Sequence, residues 1–164
     1  MVVEAMEKRY EQDLQKWNST PTEKRTKRNK PVKVEFGVRI CQKDCKYYVG
    51  EVGTSGGHWE VSPLSVPPCN DGDKMIGYAH SHPDKNASLS DNDRKIAKEG
   101  FGSNFNIDEN IKIPPKIIMT ASVRDGEGNI RTHLYNPNKP AGKTNATFIN
   151  GIRPVSYTHL TLPT

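Results

Sequence analysis

The stretch Met75-Ile-Gly-Tyr-Ala-His80-Ser-His82-Pro-Asp-Lys-Asn-Ala-Ser-Leu-Ser90-Asp-Asn-Asp93 predicts both the local fold and a site. Its apolar beginning is typical of a buried strand over Met75–His80. Pro83 ends ladder pairing, and the polar residues after it predict a loop that reverses the chain. Because Ser90 stands where a helix N-cap is expected, residues 91–100 are predicted to form a helix that their final glycine ends.

The two histidines of this stretch have the spacing of metal ligands. His80 and His82 lie two residues apart, and on a strand such side chains project from the same face, so both imidazoles can reach one ion. Asp93 occupies the third position of the predicted helix, where its carboxylate can turn back toward the histidines. Two imidazoles, one carboxylate and a water make up the ligand set of a catalytic zinc. We therefore predict that His80, His82 and Asp93 bind Zn²⁺.

Each part of this pattern has a simpler interpretation when it is taken alone. A Ser90-x-x-Asp93 sequence is more often only a capping box. An isolated His-x-His is more often two ordinary strand or surface histidines. Ser88 and Asp91 also offer an out-of-register alternative to Ser90 and Asp93. The occurrence of all these parts in one short span favours a metal site over the separate interpretations.

The order H-x-H-P, six residues, then S-x-x-D resembles the motif of the JAMM, or MPN-plus, zinc metalloproteases. Ten residues separate His82 from Asp93, as in that motif, which favours Asp93 over Asp91 as the acidic ligand. The resemblance covers about residues 34–136, and its specific part is confined to residues 77–93. It implies an α/β (α+β) domain of JAB/MPN type, in which helices flank a mixed, mainly antiparallel sheet.

The resemblance also implies an activity. Members of this family use a zinc-activated water to cleave an amide, peptide or isopeptide bond, with an upstream glutamate as the base. Glu35 in Glu35-Phe-Gly-Val-Arg-Ile40 is similar to that upstream segment, whereas Glu51 and Glu60 are alternatives on other predicted strands. The hydroxyl of Ser90 is expected to stabilise the oxyanion, not to act as a nucleophile.

Several biological roles are compatible with such a site. The chain is most similar to bacterial JAB-like domains at the ends of polymorphic toxins, which implies a protein or peptide substrate and an immunity or carrier protein as partner. The alternative is a non-catalytic MPN-like interaction module, although such modules normally lack one or more ligands. A metal-dependent nuclease is disfavoured, since it would need more ligands and a basic cleft.

The remaining sequence predicts four regions. Residues 1–17 form a helix, since apolar residues recur at three- and four-residue steps, and residues 18–33 form a basic linker. Residues 34–153 form the hydrolase domain. Residues 154–164 resemble the translation of a sequencing adapter and are set aside. Within the domain we expect strands over Val34–Cys41, Tyr47–Val52 and Trp59–Val61 as a meander, and a hairpin of residues 116–123 and 129–135.

The distribution of charge and of apolar residues limits which kinds of binding partner the sequence predicts. The 164 residues carry a net charge of +5, but nine Lys/Arg and five Asp/Glu lie in residues 1–33, which leaves fifteen and fourteen in the remainder. We therefore assign no nucleic-acid binding. The charged residues at the N-terminus predict that no signal peptide is present, and the sequence has no apolar run of membrane length. The expected location is the cytoplasm, or delivery as part of a larger toxin.

The odd number of cysteines predicts free thiols in a reducing compartment, since Cys41, Cys45 and Cys69 cannot form a closed set of disulfides by themselves. A metal site made of the three is a weaker alternative, because their spacing is not that of a zinc knuckle. His58 and His133 lack partners at ligand spacing and are expected to be structural. His159 falls in the adapter-like tail and has no assigned role.

Overall fold

The computed structural model describes residues 1–58, 61, 65–100 and 116–152. In chain order the elements are α1 (Val2–Asn18), a 3-10 turn (Thr22–Lys24), β1 (Gly37–Lys43), β2 (Lys46–Val49), β3 (Lys74–Ser81), α2 (Asp91–Glu99), β4 (Ile118–Arg124), β5 (Ile130–Tyr135) and β6 (Asn145–Ile149). The strands form one sheet in the order β2-β1-β3-β4-β5-β6. Within the described chain β3 and β4 pair in parallel and the other neighbours pair antiparallel. The predicted coarse class, α+β with a mixed, mainly antiparallel sheet and flanking helices, is confirmed.

The main hydrophobic cluster lies between α2 and one face of the sheet. Ala97 of α2 is fully buried, and its carbonyl accepts a 3.0 Å hydrogen bond from the backbone N–H of Ile117, which fixes the end of α2 to the start of β4. The cluster consists of Val61, Val66, Tyr78, Leu89, Ala97, Ile117, Met119, Ala121 and Tyr135. Since Tyr78 of β3 and Met119 and Ala121 of β4 belong to this cluster, the central parts of these two strands pack in the core beside α2.

The N-terminal helix packs against β3 and β4 of the same sheet. Val2, Val3 and Met6 are buried, and Arg124 of β4 forms an ion pair with Glu7 through a 2.6 Å contact between Nε and Oε1. The helix predicted for residues 2–17 is therefore confirmed. The surface that its apolar stripe needs is supplied by the domain that follows it.

The first predicted strand begins later than expected. β1 starts at Gly37, and Glu35 lies in the extended segment before it, where its backbone N–H donates to Gly57 at 2.8 Å. The expected pairing of the first two strands is present as β1 and β2, and β3 is the other neighbour of β1. Of the predicted strand at residues 59–61, only the buried Val61 lies within the described residues.

The elements after β3 agree more closely with the predictions made from the sequence. α2 ends at Glu99, and Gly100 adopts a φ of 75°, the left-handed conformation that glycine accepts most readily. The predicted hairpin is β4 and β5. β6 was not predicted, although polar Asn145 and Thr147 alternate with apolar Ala146 and Phe148 in this short segment. No helix in the described ranges has both the length and the apolar character needed to cross a membrane.

The prediction of free cysteines was wrong for two of the three. Cys41 of β1 and Cys69 form a disulfide bond across 28 positions of the sequence, and Cys45 is free and exposed. Cys41 is fully buried, so the bond anchors the loop before β3 to the interior of the sheet. The same bond removes Cys41 and Cys69 as candidate metal ligands.

Replacement of Cys41 and Cys69 together by alanine should lower the free energy of unfolding by about 3–4 kcal/mol, because the bond restricts the unfolded chain over a separation of 28 residues. Denaturant unfolding of the double variant and the parent measures this difference. Cys45→Ala is the control and should leave stability unchanged, since Cys45 is exposed and unbonded. Equal stability of the double variant and the parent would contradict the disulfide.

Candidate metal centre

The two histidines of the site lie at the carboxyl end of β3 and directly after it. His80 lies opposite Gly37 of β1 and opposite Ala121 of β4 in the sheet register. His82 follows the strand directly, and its backbone N–H donates to Ser122 at 2.8 Å, which continues the pairing with β4. The two imidazoles consequently lie on one face, with their Nε2 atoms 3.0 Å apart and their ring centroids 4.9 Å apart.

The imidazole of His82 is oriented by the loop that follows β3. Its Nδ1 lies 2.6 Å from the carbonyl oxygen of Asn86, an acceptor to which a ring N–H can donate. With the proton on Nδ1, the lone pair of Nε2 is directed at the site. Burial lowers the pKa of His82, which favours the neutral imidazole that a metal requires.

Asp93 reaches the histidines from the first turn of α2. The Oγ of Ser90 accepts a 3.1 Å hydrogen bond from the backbone N–H of Asp93, and Oδ2 of Asp93 accepts a 2.9 Å bond from the backbone N–H of Ser90. This reciprocal capping box fixes the carboxylate at the helix start. It leaves Oδ2 of Asp93 3.5 Å from Nε2 of His80.

The charge state of Asp93 also suits a ligand. Burial by itself would raise the pKa of Asp93, but the hydrogen bond and charge of His80, together with the bonds from Ser90, outweigh burial and lower it to about 2. The carboxyl group is thus ionised at neutral pH. A carboxylate and neutral imidazoles are the protonation states in which these side chains bind metals.

His80, His82 and Asp93 together form a group that could hold a metal ion. One ligand atom from each residue lies within 4.8 Å of the others, and His80 is buried while His82 and Asp93 are half-buried. The donor set of two imidazole nitrogens and one carboxylate oxygen fits a divalent transition metal such as zinc. All three predicted ligands are therefore brought together, and Asp91 is not part of the group.

Glu35 lies beside this group without being one of its three donors. The β1–β3 register pairs Gly37 with His80, and the backbone N–H of Ser81 donates to Phe36 at 2.9 Å, so continuing the register by one more residue puts Glu35 opposite His82. Glu35 is buried at 6 % exposure, and Thr54 Oγ1 donates to its backbone carbonyl. Glu51 is exposed, and Glu60 lies outside the described residues.

Ser90 is exposed at the edge of the site. Its Oγ accepts the hydrogen bond from Asp93, which uses a lone pair and leaves the hydroxyl proton available to a further acceptor. The structural role in the capping box and the predicted role as a donor to substrate are therefore compatible. Ser88, the out-of-register alternative, has its backbone N–H bonded to Asn86 Oδ1 instead.

The other histidines expected to be structural stay outside the group. His58 contacts the carbonyl oxygen of Lys33 through Nδ1. His133 of β5 pairs with Ala121, so it lies one strand farther from His80 on the sheet. The interpretation of both as structural histidines is in keeping with these positions.

Sequence reasoning missed two residues at the site. Tyr78 stacks on His80 with ring centroids 6.0 Å apart and planes inclined by 21°. The strand period could have found it, since it lies two residues before His80 on the same face. Gly37 was quoted only as part of a strand, yet a Cβ placed on it would lie 2.0 Å from the Tyr78 hydroxyl oxygen.

Comparisons with known proteins identify no relative. No family model matches the sequence, and no curated protein or solved structure matches it either.

Purified protein should contain about one metal ion per chain, and His80→Ala, His82→Ala or Asp93→Ala should each remove it, because a site with two of its three protein ligands is incomplete. Elemental mass spectrometry of the purified variants measures the ratio. His133→Ala and His58→Ala are matched controls and should retain the metal. Stoichiometric metal in the double variant His80→Ala/His82→Ala would contradict this assignment.

Proposed function

We propose that this chain is a zinc-dependent hydrolase that cleaves an amide, peptide or isopeptide bond. The observation that carries the proposal is the convergence of His80, His82 and Asp93 from a strand and a helix onto one point. Their order and spacing resemble the JAMM motif, which adds support from the sequence. The mechanism below follows from the side chains that surround this point.

Zinc is the metal proposed for this site, since two imidazoles and one carboxylate form an established type of catalytic zinc site. His80 and His82 would supply two nitrogens and Asp93 one oxygen, which leaves a fourth position for water, as in catalytic zinc sites. Bound zinc would lower the pKa of such a water from about 15.7 to about 7 and polarise a carbonyl oxygen. The second ring nitrogen of His82 is already bonded to the Asn86 carbonyl, so that ligand needs little reorganisation to bind.

Glu35 is proposed as the residue that moves the proton. Its position opposite His82 lets its carboxylate accept a proton from the attacking water and return that proton to the amine that leaves. A carboxylate at 6 % exposure is screened little by solvent, so its interactions with neighbouring charges are strong. The alternative base Glu51 is exposed and has no comparable position.

Ser90 is proposed to stabilise the charge that develops on the carbonyl oxygen of the substrate. The bond from Asp93 to its Oγ holds the hydroxyl at the start of α2, from which its proton can be donated to that oxygen. The amide N–H groups in the first turn of the helix give the same region a partial positive charge. Ser90 therefore acts as a donor, while water is the nucleophile.

The substrate is proposed to be a protein or peptide, and an immunity or carrier protein is the expected partner if the chain belongs to a bacterial toxin. The second candidate is a metal-binding interaction module without activity. The retention of all three ligands together with a buried acidic residue beside them favours the enzyme. A parent protein that binds zinc fully but cleaves no peptide would favour the module.

Glu35→Gln should retain zinc but lose hydrolysis by about 100-fold or more, because glutamine keeps the shape of the side chain and cannot accept the proton. Cleavage of a peptide library and of an isopeptide-linked substrate measures the rate, and metal analysis is run on the same samples. Glu51→Gln is the matched control and should behave as the parent. Parental activity in Glu35→Gln would exclude Glu35 as the base.

Ser90→Ala should retain zinc while the rate falls by about 100-fold, since one oxyanion donor is lost. Loss of the N-cap should also lower stability by about 0.5–2 kcal/mol. Ser90→Thr keeps both the hydroxyl and the cap, so it should recover most of the rate and of the stability. If Ser90→Ala is less stable but cleaves as fast as the parent, Ser90 is only a cap.

A further inference from the structure

The two candidate histidine ligands are held in different ways. His82 has its second ring nitrogen bonded to the Asn86 carbonyl, the usual arrangement for a metal-binding histidine. His80 has no such bond, because its buried Nδ1 finds no hydrogen-bond partner among the described residues. Some other contact must therefore keep the imidazole of His80 directed at the site.

The ring of Tyr78 supplies that contact. Tyr78 and His80 project from the same face of β3, and their rings stack at 6.0 Å with only 21° between the planes. Tyr78 is itself fixed, since it is 3 % exposed and its hydroxyl donates to the carbonyl of Val61 at 3.3 Å. A rigid ring at this distance limits how far the imidazole can rotate about its side-chain torsions.

Gly37 completes the arrangement from the neighbouring strand. It lies directly opposite His80, and a Cβ built on it would be 2.0 Å from the Tyr78 hydroxyl oxygen and 2.6 Å from the adjoining ring carbon. Contacts this short cannot be accommodated without moving the ring. The absence of a side chain at Gly37 is thus what allows Tyr78 to occupy its place against His80.

We infer that Tyr78 is a positioning residue for the candidate metal centre: its ring, seated over Gly37, orients the imidazole of His80, whose Nδ1 has no hydrogen-bond partner among the described residues. The inference rests on the metal site of the proposed function and not on the hydrolysis step. Tyr78 itself binds neither metal nor substrate in this arrangement. Its loss should therefore weaken the binding of metal to a chain that still folds.

The test measures the zinc affinity of the full chain by competition with a chromophoric chelator and records the visible spectrum of the Co²⁺-loaded protein. Tyr78→Leu should bind zinc about 10- to 100-fold more weakly than the parent, the range found when groups that orient a ligand are removed. The bands of bound Co²⁺ should also change. Tyr78→Phe keeps the ring and should restore both the affinity and the spectrum.

Tyr135→Leu is the matched control. Tyr135 belongs to the same hydrophobic cluster and is 6 % exposed, but its ring contacts Arg94 and not a candidate ligand. Both leucine variants lose a buried aromatic ring and should be destabilised, and only Tyr78→Leu should lose zinc affinity. Equal affinities of the two would overturn the inference, as would a Phe variant that binds as weakly as Leu.

Gly37→Ala tests the same arrangement if Tyr78→Leu fails to fold. The added methyl group should displace the Tyr78 ring and weaken zinc binding, whereas Gly50→Ala, whose Cβ would have its nearest contact at 3.5 Å, should not. Unchanged affinity in a folded Gly37→Ala protein would overturn the inference while leaving the metal site intact. A parent protein that binds no zinc would overturn the proposed function and this inference together.

Discussion

The reciprocal hydrogen bonds between Ser90 and Asp93 are the interaction on which the site depends. They start α2, and they also fix the carboxylate that faces His80 at 3.5 Å. The strand with the histidines and the helix with the aspartate meet only because the loop between them reverses the chain and α2 packs on β4. A change at the helix start therefore alters stability, and it also loosens the hold on the carboxylate of Asp93.

The close approach of the three candidate ligands is costly to the fold in specific ways. His80 is buried with Nδ1 unpaired among the described residues, and a carboxylate and two imidazoles are held close together at low exposure. An ion that binds only the folded chain stabilises that chain. The stabilisation grows with the logarithm of the ratio between the concentration of the ion and the dissociation constant of the complex. A metal bound by this group would consequently be coupled to folding, and the capping box, the Asn86 contact and the Tyr78 ring are the contacts that hold the three side chains.

The sequence predicted the local parts of this structure well. The β3 strand, the N-cap at Ser90 and α2 each depend on residues close together in the chain, so periodicity and capping patterns were sufficient. The features that were missed are contacts between distant residues: the Cys41–Cys69 bond spans 28 positions, and β1 pairs with the distant β3 as well as with the adjacent β2. No local pattern distinguishes such pairings, because they depend on how the whole sheet assembles. β6 was missed for a related reason, since a short polar edge strand is stabilised by its pairing with β5 more than by its own sequence.

The same distinction between local and distant contacts separates the candidate metal ligands from the proposed base. His80, His82 and Asp93 lie within one short stretch, so a shift in the register of β1 would leave them together. Glu35 reaches the site only through the pairing of β1 with β3, and a shift by one residue would turn its side chain to the opposite face. The close packing of Gly37 under Tyr78 opposes such a shift, because any other residue of the segment placed there would bring a Cβ into the ring. One glycine thus links the orientation of His80 to the register that puts Glu35 opposite His82 among the candidate metal ligands.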